Sequence, residues 1–245
     1  MTRPYHTEGE DRQGRWLITC DHASNRVPAE VSGGDLGLPA ADMARHIAFD
    51  VGAAGVARAL AAALDGPVIL SDFSRLVIDP NRGEDDPTLC MKVYDGTIIP
   101  ANRHADAAEV QRRLDLFHRP YHRGIARLRA TRAAPVIVAV HSFTPQFAGR
   151  PARPWHVGVL YAGDTRLAYP LLAQLNAQPD LCIGDNQPYS GQLPGDSLDR
   201  HGVRTGLPHV LVEVRNDLIR TPDRQLAWAR RLAPMLDAAL RNADV

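Results

Sequence analysis

Two histidines, His22 and His141, each close a short run of buried-strand character, Trp16-Leu-Ile-Thr-Cys-Asp-His22 and Pro135-Val-Ile-Val-Ala-Val-His141. Open α/β sheets place their chemistry at such strand ends. Two imidazoles on neighbouring strands supply two of the three protein ligands that a catalytic zinc site commonly uses, with the fourth position left to water. The third ligand stays open among three residues. The familiar His-x-x-Glu spacing would need a glutamate where the sequence has Asn25. Asp50, in the run His46-Ile-Ala-Phe-Asp50, is the first choice, with His46 one helical turn before it on the same face. His46 and Asp50 also fit a helix-surface or supporting pair. A third apolar run, Pro208-His-Val-Leu-Val-Glu213-Val, carries a carboxylate. Burying it is costly unless it is paired, metal-bound or held protonated, and a raised pKa suits a general base that takes a proton from water and hands it to a leaving nitrogen. A salt bridge to Arg215 is the alternative.

Binding residues gather in two further segments. Ser74-Arg75-Leu-Val-Ile-Asp-Pro-Asn81-Arg82 brings two guanidiniums to the ends of one short apolar run, where a planar fork grips a carboxylate in bidentate fashion and Asn81 adds an amide donor. Arg75 has Asp72 and Asp79 as alternative partners. The polar stretch Gly184 to Gly206, read as a structureless loop, offers Tyr189 and His201 as donors that would close over a substrate, unless the stretch is an inert surface excursion.

The elements that must position these groups follow from periodicity. Strands are expected at Arg15 to Cys20, Val68 to Ser71, Leu76 to Ile78, Pro135 to His141, Trp155 to Tyr161 and Pro208 to Val214. Helices are expected from Ala40 to Leu64, from Thr165 to Gln178 and from Pro222 to Asn242, and from Ala105 to Thr131 with a break at Pro120 that would keep His118 and His122 out of line. Strand and helix alternate, which predicts a three-layer α/β/α sandwich around a mostly parallel or mixed sheet.

The chain of 245 residues shows no linker or charge block, so one domain spanning 1–245 is expected. With 28 basic and 28 acidic residues it has no global footprint for nucleic acid or an anionic membrane, which leaves a small-molecule partner. Lys92 is the only lysine, which excludes most Schiff-base schemes. Cys20, Cys90 and Cys182 form no CxxC pair and point to a reducing cytoplasm. The N-terminus lacks the apolar core of a signal peptide, and no apolar run is long enough to span a bilayer.

Several of these segments, in this order, resemble the N-formylglutamate amidohydrolase family: His22-Ala-Ser-Asn-Arg-Val-Pro28, His46-Ile-Ala-Phe-Asp-Val-Gly-Ala, Ser74 to Arg82, Val140-His-Ser142, Gly184-Asp-Asn-Gln-Pro-Tyr-Ser190 and Leu211 to Leu218. The resemblance implies a phosphorylase/hydrolase-like fold similar to zinc carboxypeptidases and aspartoacylases, with Zn2+ as the expected metal. It implies that Asn81-Arg82 binds substrate carboxylate and that Glu213 is the general base. It also implies that a metal-activated water attacks the formyl carbonyl of N-formyl-L-glutamate to give formate and glutamate, a step of histidine degradation, with Tyr189 or His201 helping to stabilise the oxyanion. The departure is Asn25, where those relatives have a ligating glutamate. Rival readings are a hydrolase of another N-acyl amino acid or small peptide, and a metal-free binding module for N-acyl amino acids.

Overall fold

A computed structural model describes residues 3–243 of the chain. Nine strands and seven α-helices follow in the order β1 (Tyr5–Glu8), β2 (Trp16–Cys20), α1 (Ala40–Met43), α2 (Ala53–Ala63), β3 (Val68–Ser71), β4 (Val93–Tyr94), β5 (Thr97–Ile98), α3 (Ala107–Arg113), α4 (Arg119–Ala130), β6 (Val136–Phe143), β7 (Val157–Leu160), α5 (Ala168–Asn176), β8 (Ile183–Asp185), α6 (Ser197–His201), β9 (His209–Arg215) and α7 (Pro222–Asn242). Seven strands form one sheet in the order β1-β3-β2-β6-β9-β7-β8, and β4 and β5 form a separate hairpin. The sheet is mixed: β1 runs antiparallel to β3, β7 antiparallel to β9, and the other neighbours are parallel.

Side chains alternate across the sheet as period-two patterning requires. Trp16 and Ile18 join Val136, Val138, Val140, Val210, Val212 and Val214 in a core under α2, α5 and α7. Leu17 and Ile69 face the other way, toward Phe117, Tyr121, Ile125 and Leu128 of the α3–α4 segment. The odd-numbered positions of β6 and β9 point to this same face, where Ala139 and Leu211 form a small separate cluster with Leu160 and Leu198, so His141 and Glu213, which are register partners on adjacent parallel strands, emerge together. Among the described residues no helix is long and apolar enough to cross a membrane.

The three-layer α/β/α sandwich with a mixed sheet agrees with the expectation; four local readings do not. The alanine-rich run from Ala40 to Leu64 is two helices. Gly52 has φ 83°, where a Cβ would stand 2.2 Å from the carbonyl of Ile219. The Asp50 N–H bonds the carbonyl of His22 at 2.9 Å instead of a helical carbonyl. Asp50 is therefore tied to the end of β2, and the same-face argument linking it to His46 does not hold.

The apolar triplet Leu76-Val77-Ile78 is a buried turn and not a strand. Two of its carbonyls are satisfied by side chains: Asn102 Nδ2 donates to Leu76 O at 2.8 Å and Arg113 Nη1 to Val77 O at 2.8 Å, while the Val77 N–H closes the turn on Ser74 O at 2.9 Å. Pro120 does not break its helix either. The preceding turn, Leu114–His118, is a π-turn in which Arg119 N–H reaches Leu114 O, and the proline sits in the first turn of α4, where its missing N–H is tolerated. His118 and His122 consequently align, with ring centres 4.4 Å apart. The stretch from Gly184 to Gly206 is not structureless: it contains the end of β8, all of α6 and a 3-10 turn at Val203–Thr205.

Arg113 is fully buried and joins Val77 O to Asn102 Oδ1, the latter at 2.7 Å. Removing its donors leaves two buried acceptors without partners. Arg113→Leu is expected to lower the unfolding free energy by roughly 3 kcal/mol in urea titrations.

Candidate active site

The site lies where β2, β6 and β9 end side by side. His22 follows β2, His141 sits in β6, and Asp50 reaches between them from the segment before α2. Asp50 Oδ2 is 3.3 Å from His22 Nδ1 and 2.9 Å from His141 Nδ1, and it accepts from the Ser142 N–H at 3.2 Å. The two rings meet edge to face at 4.9 Å. All three side chains are buried, and among the described residues they are the one His/Cys/Asp/Glu group whose donor atoms converge within 4.8 Å.

The far nitrogen of each ring is held by another buried carboxylate. His22 Nε2 bonds Asp79 Oδ1 at 2.7 Å, and His141 Nε2 bonds Asp21 Oδ2 at 3.2 Å. A carboxylate only accepts, so each Nε2 carries hydrogen and each Nδ1 is left to the centre, the arrangement by which outer carboxylates orient metal-binding imidazoles. Asp79 in turn takes two bonds from Arg75, Nε at 3.1 Å and Nη2 at 2.7 Å, and Asp21 accepts from the Tyr121 hydroxyl at 2.7 Å.

The electrostatics ask for a cation. Burial works against the charge of Asp21, Asp50 and Asp79, yet the neighbouring imidazoles and, for Asp79, Arg75 hold all three carboxyls below their ordinary range, Asp21 at about 2. Arg75 is the one guanidinium bonded into this group, so a negative surplus remains for imidazole protons or a divalent ion to offset. Burial alone would depress His141, but its bonds to Asp21 and Asp50 raise it well above the usual imidazole value. A metal bound through His141 Nδ1 needs that nitrogen free of hydrogen, so metal uptake at this group would release a proton. The donor set of two imidazole nitrogens and one carboxylate suits zinc.

These three side chains line one wall of a cavity of about 320 Å3, shared with Asn81, Arg82, Tyr189, Asp196 and Glu213. Glu213 is 6 % exposed, its Oε2 has no hydrogen-bond partner, and burial followed by the charge of Asp50 pushes it up to about 7 against the opposing influence of His141. It has no ion pair with Arg215, which is turned to Asp217 at 2.8 Å. Gly158, its register partner on β7, lets the Gln187 backbone pack close beside it; a Cβ there would meet Gln187 O at 2.1 Å.

The other candidates divide. Asn81 and Arg82 face the cavity, and Arg82 donates only to neutral acceptors, Thr88 Oγ1 at 3.1 Å and Asn81 O at 2.8 Å. Arg75 also lines the cavity, but its fork is occupied by Asp79, so the reading of it as a substrate fork gives way to the ion-pair alternative. Tyr189 is at the rim, 37 % exposed, its hydroxyl accepting from Arg153 at 3.0 Å. His201 does not line the cavity; it is buried behind the Asn81 loop against His122. His46 borders the cavity but turns Nε2 to Asp95 at 3.3 Å, and exposed Asn25 donates to Met43 O. Neither stands with the two histidines.

Three roles were not drawn from the sequence: Asp21 at His141, Asp79 at His22 beyond its expected pairing with Arg75, and Asp196 at the cavity. Asp21 and Asp79 stand beside turns, and only the imidazoles opposite them reveal these roles. Asp196 caps α6, accepting from the Asp199 N–H at 2.7 Å, and burial raises it to about 7. A Gly-Asp-Ser sequence before a short amphipathic segment is a cap signal that could have placed it.

Asp21→Asn is expected to weaken zinc binding about 10- to 100-fold in competition with a chromophoric chelator, while Asn25→Ala leaves it unchanged.

The sequence model of the N-formylglutamate amidohydrolase family matches residues 14–220. No curated protein matches the chain. Among solved structures, a gene product of Agrobacterium tumefaciens is similar with a TM-score of 0.92 and 33% identity, covering 98% of this chain and 96% of its own. An N-formylglutamate amidohydrolase from Ralstonia eutropha JMP134 shares the fold with a TM-score of 0.72 at 19% identity, covering 98% of each chain. A match running from just before β2 to just past β9 takes in every residue of the buried centre, and the chain accordingly belongs to the N-formylglutamate amidohydrolase family and is an amide hydrolase.

Proposed function

We propose that the protein is a metal-dependent amidohydrolase that cleaves the N-formyl amide of N-formyl-L-glutamate or a closely similar N-acyl amino acid. The observation that carries this reading is Glu213: a buried carboxyl with one unpartnered oxygen, in register with His141 and opening on the same cavity as Asn81 and Arg82.

A zinc ion held by His22, Asp50 and His141 would polarise the amide carbonyl and lower the pKa of a water molecule. The chain's own groups do the rest. Arg82 binds the substrate carboxylate, and Asn81 contributes an amide donor beside it. Ionised Glu213 takes one proton from the attacking water at Oε2 and returns it to the departing amide nitrogen as the C–N bond breaks, so that water and the N-formyl amino acid become formate and the free amino acid. Asp21 and Asp79 keep both imidazoles oriented, and Arg75 keeps Asp79 charged. Tyr189 stands at the rim, where its hydroxyl can meet the substrate. The free cysteines support a reducing, cytoplasmic setting, and glutamate as product fits a step of histidine degradation.

Purified protein is expected to release formate from N-formyl-L-glutamate, to lose this activity on chelation and to regain it with zinc. Glu213→Gln should lower kcat by about 10²- to 10⁴-fold with zinc still bound. Because Glu213 acts ionised, kcat/KM should fall as pH drops through its titration, at or below its metal-free value of about 7, since a nearby cation favours the charged form. Zinc-loaded protein that releases no formate at any pH would refute this substrate assignment.

A further inference from the structure

Three buried histidines, His118, His122 and His201, lie together outside the cavity, and nothing in the reaction above uses them. His118 Nε2 is 3.0 Å from the carbonyl of Arg82, and His122 Nε2 is 3.0 Å from the carbonyl of Pro80. These two carbonyls flank Asn81. His122 Nδ1 is 3.0 Å from His201 Nε2, and those two rings stack at 5.2 Å with 26° between their planes.

A carbonyl only accepts, so both His118 and His122 must carry hydrogen on Nε2. Burial, the largest influence on each, holds all three imidazoles below their ordinary value, His201 at about 4, so each ring is neutral and carries a single N–H. With Nε2 of His122 already the donor, its Nδ1 accepts, and the hydrogen between the two rings belongs to His201. The order of donation is thus His201 to His122 to Pro80 O.

Asn81 is fixed from its other sides as well. Its N–H bonds Asp79 Oδ1 at 2.9 Å, and its Oδ1 accepts from the Ser197 N–H at 3.2 Å. The side-chain NH2 is what remains for the cavity.

We propose that His118 and His122 are positioning residues that clamp the Pro80-Asn81-Arg82 backbone, with His201 setting the tautomer of His122, so that the π-turn before α4, α4 itself and α6 together aim Asn81 and Arg82 at the substrate carboxylate. This rests on the reading of Asn81 and Arg82 as the carboxylate site. It gives His201 a role through His122 and not through contact with substrate.

Two near-isosteres of His122 separate its bonds. His122→Gln keeps a donor near the Nε2 position and so the bond to Pro80, whereas His122→Asn keeps a group near Nδ1, facing His201, but falls short of Pro80. Each variant is compared with wild type for KM and kcat on N-formyl-L-glutamate, for bound zinc, and for amide hydrogen exchange across residues 80–88 without substrate. The expected result is a KM raised about tenfold in His122→Asn with kcat and zinc content kept, faster exchange confined to the 80–88 segment, and near-wild-type behaviour in His122→Gln. Equal behaviour of the two variants, the reverse order, or a fall in kcat or zinc content with KM unchanged would overturn the proposal. If wild type proves inactive on N-formyl-L-glutamate, the substrate reading fails, and the exchange comparison still decides whether His122 holds the clamp.

Discussion

A carboxylate buried between two imidazoles, Asp50 against His22 and His141, imposes the conditions that the surrounding chain has to meet. Charge at this depth is tolerated only when every partner is in place. The far side of each ring therefore meets its own carboxylate, and those carboxylates meet Arg75 and Tyr121. The result is a connected polar network in which removal of one member exposes the next, and in which the central position favours a cation.

The sheet order explains why such a network can form. β2 and β6 are parallel neighbours, as are β6 and β9, so the strand ends deliver His141 and Glu213 side by side and His22 from the turn directly after β2. Loops supply what strands cannot. The segment between α1 and α2 leaves helical geometry to bring in Asp50, and the turn after β3 brings Arg75, Asp79, Asn81 and Arg82 to the same mouth. Both excursions are pinned by side chains in the α3–α4 layer or by bonds to the end of β2, so the second helical layer acts as the support of the site as well as part of the core.

Much of this was legible in the sequence because the strands are marked by β-branched runs and their polar ends stand out against them. His22 and His141 could be named from that contrast, and Glu213 from a charge inside an apolar run. Asp50 could be named by type, but its placement could not be read: a carboxylate in an alanine-rich periodic stretch looks helical until a bond from its N–H to the carbonyl of His22 competes with the helix. Leu76-Val77-Ile78 looks like a strand because its composition suits one, whereas the carbonyls of Leu76 and Val77 bond Asn102 and Arg113, far along the chain, and the N–H groups of both turn back on Ser74. The helix through Pro120 was misread for a local reason, since a π-turn absorbs the proline and brings His118 and His122 into line. Asp21 and Asp79 carry no signal of their own role, as aspartate beside a turn is ordinary and only the imidazole opposite gives it meaning.

The claim on which the account turns is that Asp50, His22 and His141 form one metal centre bound through the Nδ1 atoms. Anomalous diffraction at the zinc edge from zinc-loaded crystals tests it directly. The account predicts one peak within about 2.0–2.2 Å of His22 Nδ1, His141 Nδ1 and an Asp50 oxygen, with both Nε2 atoms still bonded to Asp79 and Asp21. A peak at another cluster, coordination through Nε2, or no peak from stoichiometrically loaded protein would contradict it.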